Sequence, residues 1–364
     1  MPFLMNAWYV AALSSEVEPG AMAKRVLLDR SMVVVRSEEG APALFEDRCP
    51  HRFAPLSMGR VCGSSIECGY HGMRFAFDGR CVENPTQPEQ ALPDRVRVRT
   101  YPVLERYGFI WFWAGEGQAD ASRLPLFPQY ESDDYGFGTA YKHVAGNYQL
   151  LIDNLLDLSH APFVHKGLLG DRNTMANWDF SYDQGPRHIV DRRFFADRPA
   201  VPAWAKAYGD AFGPFDGPMD HWQETYWYAP ANMLLDAGLV LPGAARDTGI
   251  DIIGLNLMTP ETETTTHYFY GMAHRYRHDE QRITDFWMNA VFHAFDDDRL
   301  MIEAVQRNMG AATDIVALRP HINKSDQTAL MARRHLASLI SAENTGAPCK
   351  RSSRSDAASV ATSV

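Results

Sequence analysis

The segment Cys49-Pro50-His51, followed after sixteen intervening residues by Cys68-Gly69-Tyr70-His71, sets one cysteine beside one histidine twice over. Two thiolates and two imidazoles at that spacing suit a [2Fe-2S] cluster in which the cysteines hold one iron and the histidines the other. Imidazoles in place of two thiolates reduce the negative charge around the irons and raise the reduction potential, so such a cluster accepts single electrons from a reductase. The same four residues also satisfy a tetrahedral zinc site that only staples a fold. Alternation of ligand type within each pair, and the glycine-flanked aromatic of Cys68-Gly69-Tyr70-His71-Gly72, favour two short loops closing over a binuclear cluster.

The rest of the composition agrees with redox machinery in a globular protein. At 364 residues and 46% hydrophobic content the chain exceeds one core and divides into two domains, since single cores stop growing near about 250 to 300 residues. A formal charge of -10 and the lack of any dense Lys/Arg run exclude a nucleic-acid binder. The opening Met1-Pro2-Phe3-Leu4-Met5-Asn6 has no basic leader, and no apolar run reaches the roughly 18 to 20 residues of a membrane span, so a cytoplasmic protein without membrane partner is expected. Cys62, Cys81 and Cys349 are an odd remainder that forms no disulfide framework. The first two read as small packed residues, and Cys349 lies in a Ser/Ala/Thr-rich tail expected to be disordered.

Between Lys24 and Trp113 short β-type runs alternate with turn residues, as in Met32-Val33-Val34-Val35 and Phe109-Ile110-Trp111-Phe112-Trp113, and Asp78-Gly79 reads as a type I′ hairpin turn. The shift at Ala114-Gly115-Glu116-Gly117-Gln118 marks a boundary. The expected domains are 1–118, all β and bearing the cluster, 119–342, catalytic, and a tail over 343–364. In the second domain the pattern predicts a helix around Tyr148 to His160, mixed strand and loop from Trp178 to Met258, a β-rich stretch at Thr264 to Met272 and a long helix from about Ile283 to Met309. Pro199 to Pro218 reads as a lid or a long connection.

Leu151 to His165 places Asn154, Asp157 and His160 three residues apart, on one face of a largely apolar helix. His165, about 140° further round, reaches the same ion only if the helix breaks between the histidines, and Pro162 is the expected break. Two histidines with open geometry suit the 2-His-1-carboxylate triad of a non-haem Fe(II) oxygenase. Asp298 sits on the apolar face of the late helix, while Asp296 and Asp297 are rotated away, which makes Asp298 the candidate carboxylate. Capping or salt bridging by Asp298, with hydrogen-bonded core histidines, is the plainer alternative. An upstream cluster tips the balance, because stored electrons need a destination.

These segments resemble the oxygenase (alpha) component of the Rieske non-haem iron oxygenases, in the branch of the vanillate and dicamba O-demethylases. The resemblance rests on Asn6-Ala7-Trp8-Tyr9-Val10-Ala11, Cys49-Pro50-His51-Arg52, Cys68-Gly69-Tyr70-His71-Gly72, Asn154 to His160, Thr259-Pro260-Glu261-Thr262-Glu263 and Asp298 to Glu303. It implies an α+β fold: an N-terminal all-β Rieske domain, then a helix-grip domain whose antiparallel sheet wraps a long helix. It implies a [2Fe-2S] cluster on Cys49, His51, Cys68 and His71, and a mononuclear iron on His160, His165 and Asp298 with Asn154 in support. It further implies a head-to-tail homotrimer in which Asp157 links a cluster histidine to an iron-bound histidine of the next subunit. The implied activity draws electrons from a separate NAD(P)H-dependent reductase or ferredoxin and uses O2 to O-demethylate a methoxylated aromatic acid, releasing formaldehyde. Ring or methyl hydroxylation on the same scaffold, and an electron-transfer protein without catalysis, are the alternatives. Asn256, Trp287 and Asn289 are candidate contacts to a small aromatic substrate, although the second domain's aromatics, Trp204, Trp222, Trp227, Trp287 and Phe292, read mostly as core.

Overall fold

The computed structural model describes residues 2–89, 93–165 and 179–345. Within them the first part of the chain is built from short antiparallel strands: β1 (Trp8–Leu13), β2 (Met22–Leu27), β3 (Arg30–Arg36), β4 (Pro42–Glu46), β5 (Arg60–Cys62), β6 (Ser65–Glu67), β7 (Arg74–Ala76), β8 (Cys81–Glu83), β9 (Thr100–Tyr101), β10 (Val103–Arg106) and β11 (Phe109–Trp113). They form three small sheets, ordered β1-β11-β10, β2-β3-β4-β9 and β5-β6-β7-β8. The last of these carries the cluster motifs in its loops. The turn at Asp78-Gly79 differs from the expected type I′ hairpin: only Gly79 has positive φ (+84°), and the Gly79 N–H closes on the Ala76 carbonyl at 2.7 Å. One left-handed residue after an ordinary turn produces a bulged connection instead. Cys62 and Cys81 are half-buried and, like Cys49 and Cys68, are free thiols.

The second part is a seven-stranded antiparallel sheet. Its strands are β12 (Gly136–Val144), β13 (Asp179–Gln184), β14 (His188–Arg198), β15 (Met219–Tyr228), β16 (Asn232–Val240), β17 (Ile250–Pro260) and β18 (Thr266–His274), in the order β12-β18-β17-β16-β15-β14-β13. The segment from 179 to 258 mixes strand and loop as expected, and contains in addition the helix Pro202–Phe212. Helix α1 (Tyr148–Leu156), the one-turn α2 (Ala161–Val164), α3 (Pro202–Phe212), α4 (Gln281–Met309) and α5 (Gln327–Thr345) complete it. The Pro199 to Pro218 connection contains α3, started by Pro202 at its first turn, where proline costs no hydrogen bond, and ended by Gly213 at φ +96°.

Alternation along the sheet explains the two-layer burial. Phe269, Leu255, Leu257 and Ile253 point to one face and pack with Trp8, Phe109 and Trp111 of the first module and with Phe127 just beyond it. Tyr268, Tyr270, Met272, Ile252 and Trp227 point to the other, where they meet α1, α3, α4 and α5. The long helix α4 buries Ile283, Trp287, Ala290, Val291, Ala294, Asp298 and Ile302 at helical spacing, as the sequence pattern requires.

Helix α5 corrects the expected start of the tail at 343. Ala329, Ala332, Leu336 and Leu339 make a buried stripe, and Glu343 accepts hydrogen bonds from the Met5 and Asn6 backbone N–H groups (2.6 and 2.7 Å), tying the helix end to the N-terminal segment. Residues 343–345 are helical for that reason. Cys349 and the remainder of the expected tail lie outside the described residues.

Buried Arg36 staples the first module, donating to the carbonyls of Ser14, Val17 and Gly40 and forking onto Glu105 at 2.7 and 2.9 Å. The hydrogen bonds from Arg36 hold the Glu105 carboxyl below the usual range, against a burial penalty. Because its folded value is depressed, its stabilisation is complete above the unfolded value of roughly 4.3 and disappears as pH falls through the folded one. The stability difference between wild type and Glu105→Gln, read by urea unfolding, should therefore shrink from pH 6 towards acid. At the seam between modules, Phe269→Ala should destabilise the protein by about 3–5 kcal/mol.

Candidate functional site

Two loops of the first module bring the cysteine–histidine pairs together. The Phe53 N–H closes on the Cys49 carbonyl (2.9 Å) and the Gly72 N–H on the Cys68 carbonyl (3.0 Å), so each pair caps a tight turn. The turns touch because two glycines permit it: a Cβ on Gly69 would stand 2.5 Å from the Met58 carbonyl oxygen, and one on Gly59 would be 1.8 Å from that of Glu67. Cys49 and Cys68 are buried, while the His51 and His71 rings meet at 4.6 Å between centroids, His51 exposed at the tip. Burial pushes the Cys49 thiol up to about 11, with Cys68 adding to the rise, while the backbone N–H groups of His51 and Arg52 act on the sulfur in the opposite sense. Buried sulfurs met by amide donors, with two imidazoles at the rim, fit an iron–sulfur cluster.

The second constellation lies between α1 and α4. His160 Nε2 and His165 Nε2 stand 3.3 and 3.4 Å from the same Asp298 Oδ1, and the three ligand atoms fall within 4.8 Å of one another. Asn154 Nδ2 donates to that oxygen at 3.1 Å. Burial would raise the Asp298 carboxyl, yet the hydrogen bonds from His160 and His165 bring it down to about 2. Burial also disfavours a charged His160, and the bond to Asp298 reverses the sign so that its value is raised. His165 is 4% exposed and its Nδ1 has no hydrogen-bond partner, although Asp297 Oδ2 approaches to 3.7 Å. Asp297, expected to be rotated away, thus reaches the outer side of this histidine. Two imidazoles facing one ionised carboxylate in a dry place fit a divalent transition metal.

The helix break differs from the expected one. Helix α1 stops at Leu156, and Asp157 leaves helical geometry at φ -120°, ψ 83°; Pro162 begins the next turn instead of ending the first. Asp157 caps the single turn Leu158–His160 that lies between the two helices, with Oδ1 accepting from the Ser159 N–H (3.0 Å) and Oδ2 from Ser325 Oγ (3.1 Å). Its backbone carbonyl accepts from His160 Nδ1 at 2.6 Å, which turns Nε2 toward Asp298. Asn154, Asp157 and His160 therefore do not share one continuous helical face.

Residues with no local signature hold the break in place. Arg193 on β14 donates to the Leu156 carbonyl (2.8 Å) and pairs with Asp191 (3.2 Å), and Thr328 on α5 donates to the same Asp191 carboxylate (2.8 Å). Both charges are nearly fully buried. No spacing rule in the sequence connects residues 156, 191, 193 and 328; only the sheet and α5 bring them together. A small cavity beside the triad is lined by Val144, Leu151, Asn154, Leu155, Tyr268 and Asp298. Of the expected substrate contacts, Asn256 is buried on the same sheet face and accepts from Tyr268 Oη at 2.5 Å. Trp287 is spent in the core, its ring tilted against that of Trp204 at 5.0 Å between centroids and its N–H donating to Tyr276 Oη. Asn289 is exposed, nine residues and so about 180° around α4 from Asp298.

Arg193→Met strands the buried Asp191 charge, which should cost about 3–5 kcal/mol. It also releases the Leu156 carbonyl, so iron per subunit should fall from about three towards two while the visible absorption of the cluster persists. Gly69→Ala should give the converse: loss of the cluster's absorption with the mononuclear metal retained.

Comparison with known proteins finds a match in each half of the chain. Residues 7–102 match the Rieske [2Fe-2S] domain, and residues 144–342 match the vanillate O-demethylase oxygenase C-terminal domain. The chain is 34% identical to the oxygenase component of chloroacetanilide N-alkylformylase from Rhizorhabdus wittichii, over 94% of this chain and 97% of that one. It is 32% identical to the oxygenase component of dicamba O-demethylase from Stenotrophomonas maltophilia, over 93% and 98%. The crystal structure of dicamba monooxygenase bound to 3,6-dichlorosalicylic acid superposes with a TM-score of 0.87 at 31% identity, covering 94% of this chain and 99% of that one. Another structure of dicamba monooxygenase, holding non-haem iron and dicamba, superposes with a TM-score of 0.81 at 29% identity, covering 95% and 100%. With both halves matched and two constellations that could hold metals in place, the chain belongs to the Rieske non-haem iron oxygenases, as an oxygenase component of the vanillate and dicamba O-demethylase branch.

Proposed function

We propose that the chain is the terminal oxygenase of a demethylating monooxygenase, supplied with single electrons by a separate NAD(P)H-dependent reductase or ferredoxin. Its substrate on this reading is a small aromatic compound bearing an O-methyl group. The observation that carries the proposal is the presence in one chain of a paired cysteine–histidine motif and a buried two-histidine, one-carboxylate triad beside a cavity. Residues 1–118 then store electrons, and 119–342 carry out the oxygen chemistry.

Cys49, Cys68, His51 and His71 would hold the cluster, and His160, His165 and Asp298 the iron. When bound, these groups supply single electrons and activate dioxygen. The chain's own residues set the conditions. Asn154 fixes the Asp298 carboxylate, the Asp157 carbonyl keeps the proton on His160 Nδ1, and Leu151, Leu155 and Val144 exclude water. Hydroxylation of an O-methyl carbon gives a hemiacetal, whose C–O bond breaks to release a phenol and formaldehyde. The likeness to a chloroacetanilide N-alkylformylase supports a second substrate type, in which hydroxylation occurs on a nitrogen-bound carbon.

His51 stands exposed among Phe53, Met58 and Tyr70, which are 64%, 77% and 58% exposed, an apolar rim suited to a second copy of the chain. A head-to-tail homotrimer would dock this tip against the Asp157 loop of the next subunit, where each carboxylate oxygen of Asp157 retains a free lone pair. Free thiols and a nicotinamide-dependent donor suit a reducing, cytoplasmic setting.

Oxygen uptake and formaldehyde release, measured on methoxylated aromatics with a surrogate reductase, test the reaction. A cis-diol or benzylic alcohol product would instead assign ring or methyl hydroxylation. Absence of turnover in fully iron-loaded protein would leave electron transfer alone. Asp157→Asn should retain both metals and lose at least about 100-fold in turnover; near-normal turnover would sink the bridge.

A further inference from the structure

Three consecutive aspartates of α4 serve three different sets of partners. Asp296 pairs with Lys142 on β12 (3.3 Å) and with Arg299 (3.1 Å). Asp298 faces the two histidines and Asn154. Asp297, about 100° around the helix from either neighbour, is left for His165. Its Oδ2 stands 3.7 Å from His165 Nδ1, and among the described residues its carboxylate has no other ion pair or hydrogen bond. Asp298 Oδ1 lies 3.4 Å from Nε2 of the same ring. Two adjacent carboxylates thus straddle one imidazole, one at each nitrogen.

The ring has no other means of satisfying its outer nitrogen. His165 is 4% exposed, and its Nδ1 is buried without a hydrogen-bond partner. A neutral imidazole that offers Nε2 to a metal carries its proton on Nδ1, and an N–H shut off from water is unfavourable until it meets an acceptor. The Asp297 side chain is 52% exposed and so can turn. A movement of roughly half an ångström brings Oδ2 within the reach of an N–H···O bond, about 3.2 Å. His160 meets the same requirement differently, with Nδ1 2.6 Å from the Asp157 carbonyl oxygen. One histidine is backed by a neutral carbonyl and the other by a carboxylate, which makes His165 the stronger electron donor of the two.

We propose that Asp297 is a positioning residue of the metal centre: its carboxylate accepts the His165 Nδ1–H, fixes the tautomer that presents Nε2 beside Asp298, and strengthens His165 as a ligand. This rests on the reading of His160, His165 and Asp298 as a metal triad and adds a residue to it. The test uses cluster-loaded protein stripped of its mononuclear metal and titrated with Co(II) against a competing chelator, so that no turnover is involved. Asp297→Ala should bind Co(II) about 10- to 100-fold more weakly than wild type, the loss expected when the outer partner of a metal-bound histidine is removed. Asp297→Asn keeps an acceptor oxygen without the charge and should recover at least about threefold of that loss. Asp296→Asn removes the same charge one residue earlier and should stay within about threefold of wild type, which separates the hydrogen bond from a general effect of charge. Undiminished affinity in Asp297→Ala, an equal loss in Asp296→Asn, or no recovery in Asp297→Asn overturns the inference while leaving the triad in place. A wild type that takes up no more Co(II) than His160→Ala removes the metal reading itself, and this inference with it.

Discussion

One carboxylate oxygen, Asp298 Oδ1, gathers two imidazoles and an amide into a place shielded from water, and the second module is arranged around that convergence. Three partners on one oxygen work only if each arrives from a fixed direction. Asp298 comes from the buried stripe of α4, Asn154 from α1, and the histidines from the irregular turns after α1. A carboxylate held ionised at this depth is unfavourable unless cations or donors surround it. The sheet contributes by keeping the surroundings apolar, so that the electrostatic attraction within the triad is not diluted by solvent.

The irregular backbone is as important as the ligands. A helix continued through Asp157 would leave His160 about 120° around α1 from Asn154. The buried pair of Arg193 and Asp191, steadied by Thr328, takes over the Leu156 carbonyl that a further helical turn would have used. Structural and catalytic requirements thus meet in one network, with the helix terminus, the sheet and α5 each supplying a part.

In the first module, order comes from close approach. The β4–β5 connection and the β6–β7 hairpin loop can face each other only where glycine allows backbone to touch backbone, as at Gly59 and Gly69. The buried sulfurs then sit beneath two histidines nearer the surface, His51 exposed and His71 partly so. Contact between the modules is made by aromatic rings on the outer face of the sheet, with Phe269 against Phe109. The relative placement of cluster and sheet is therefore fixed by packing over a broad apolar area.

The residue sequence alone determined the ligand types, their spacing within each loop and the helical face of Asp298, because these depend on local periodicity and on elementary coordination chemistry. It also determined that one long amphipathic helix runs from about Ile283 to Met309. The end of α1 at Leu156, the course of α5 through Thr345 and the bulged turn at Gly79 were decided by tertiary contacts: respectively a guanidinium from a distant strand, a helix end tied to the N-terminus, and the accommodation of a single left-handed residue. Asn289 and Trp287 show the same limit, one turned to solvent and the other absorbed into the core. Local patterns specify which groups are available, whereas the partner that satisfies a buried carbonyl or charge comes from residues far along the chain, and only the folded sheet places it there.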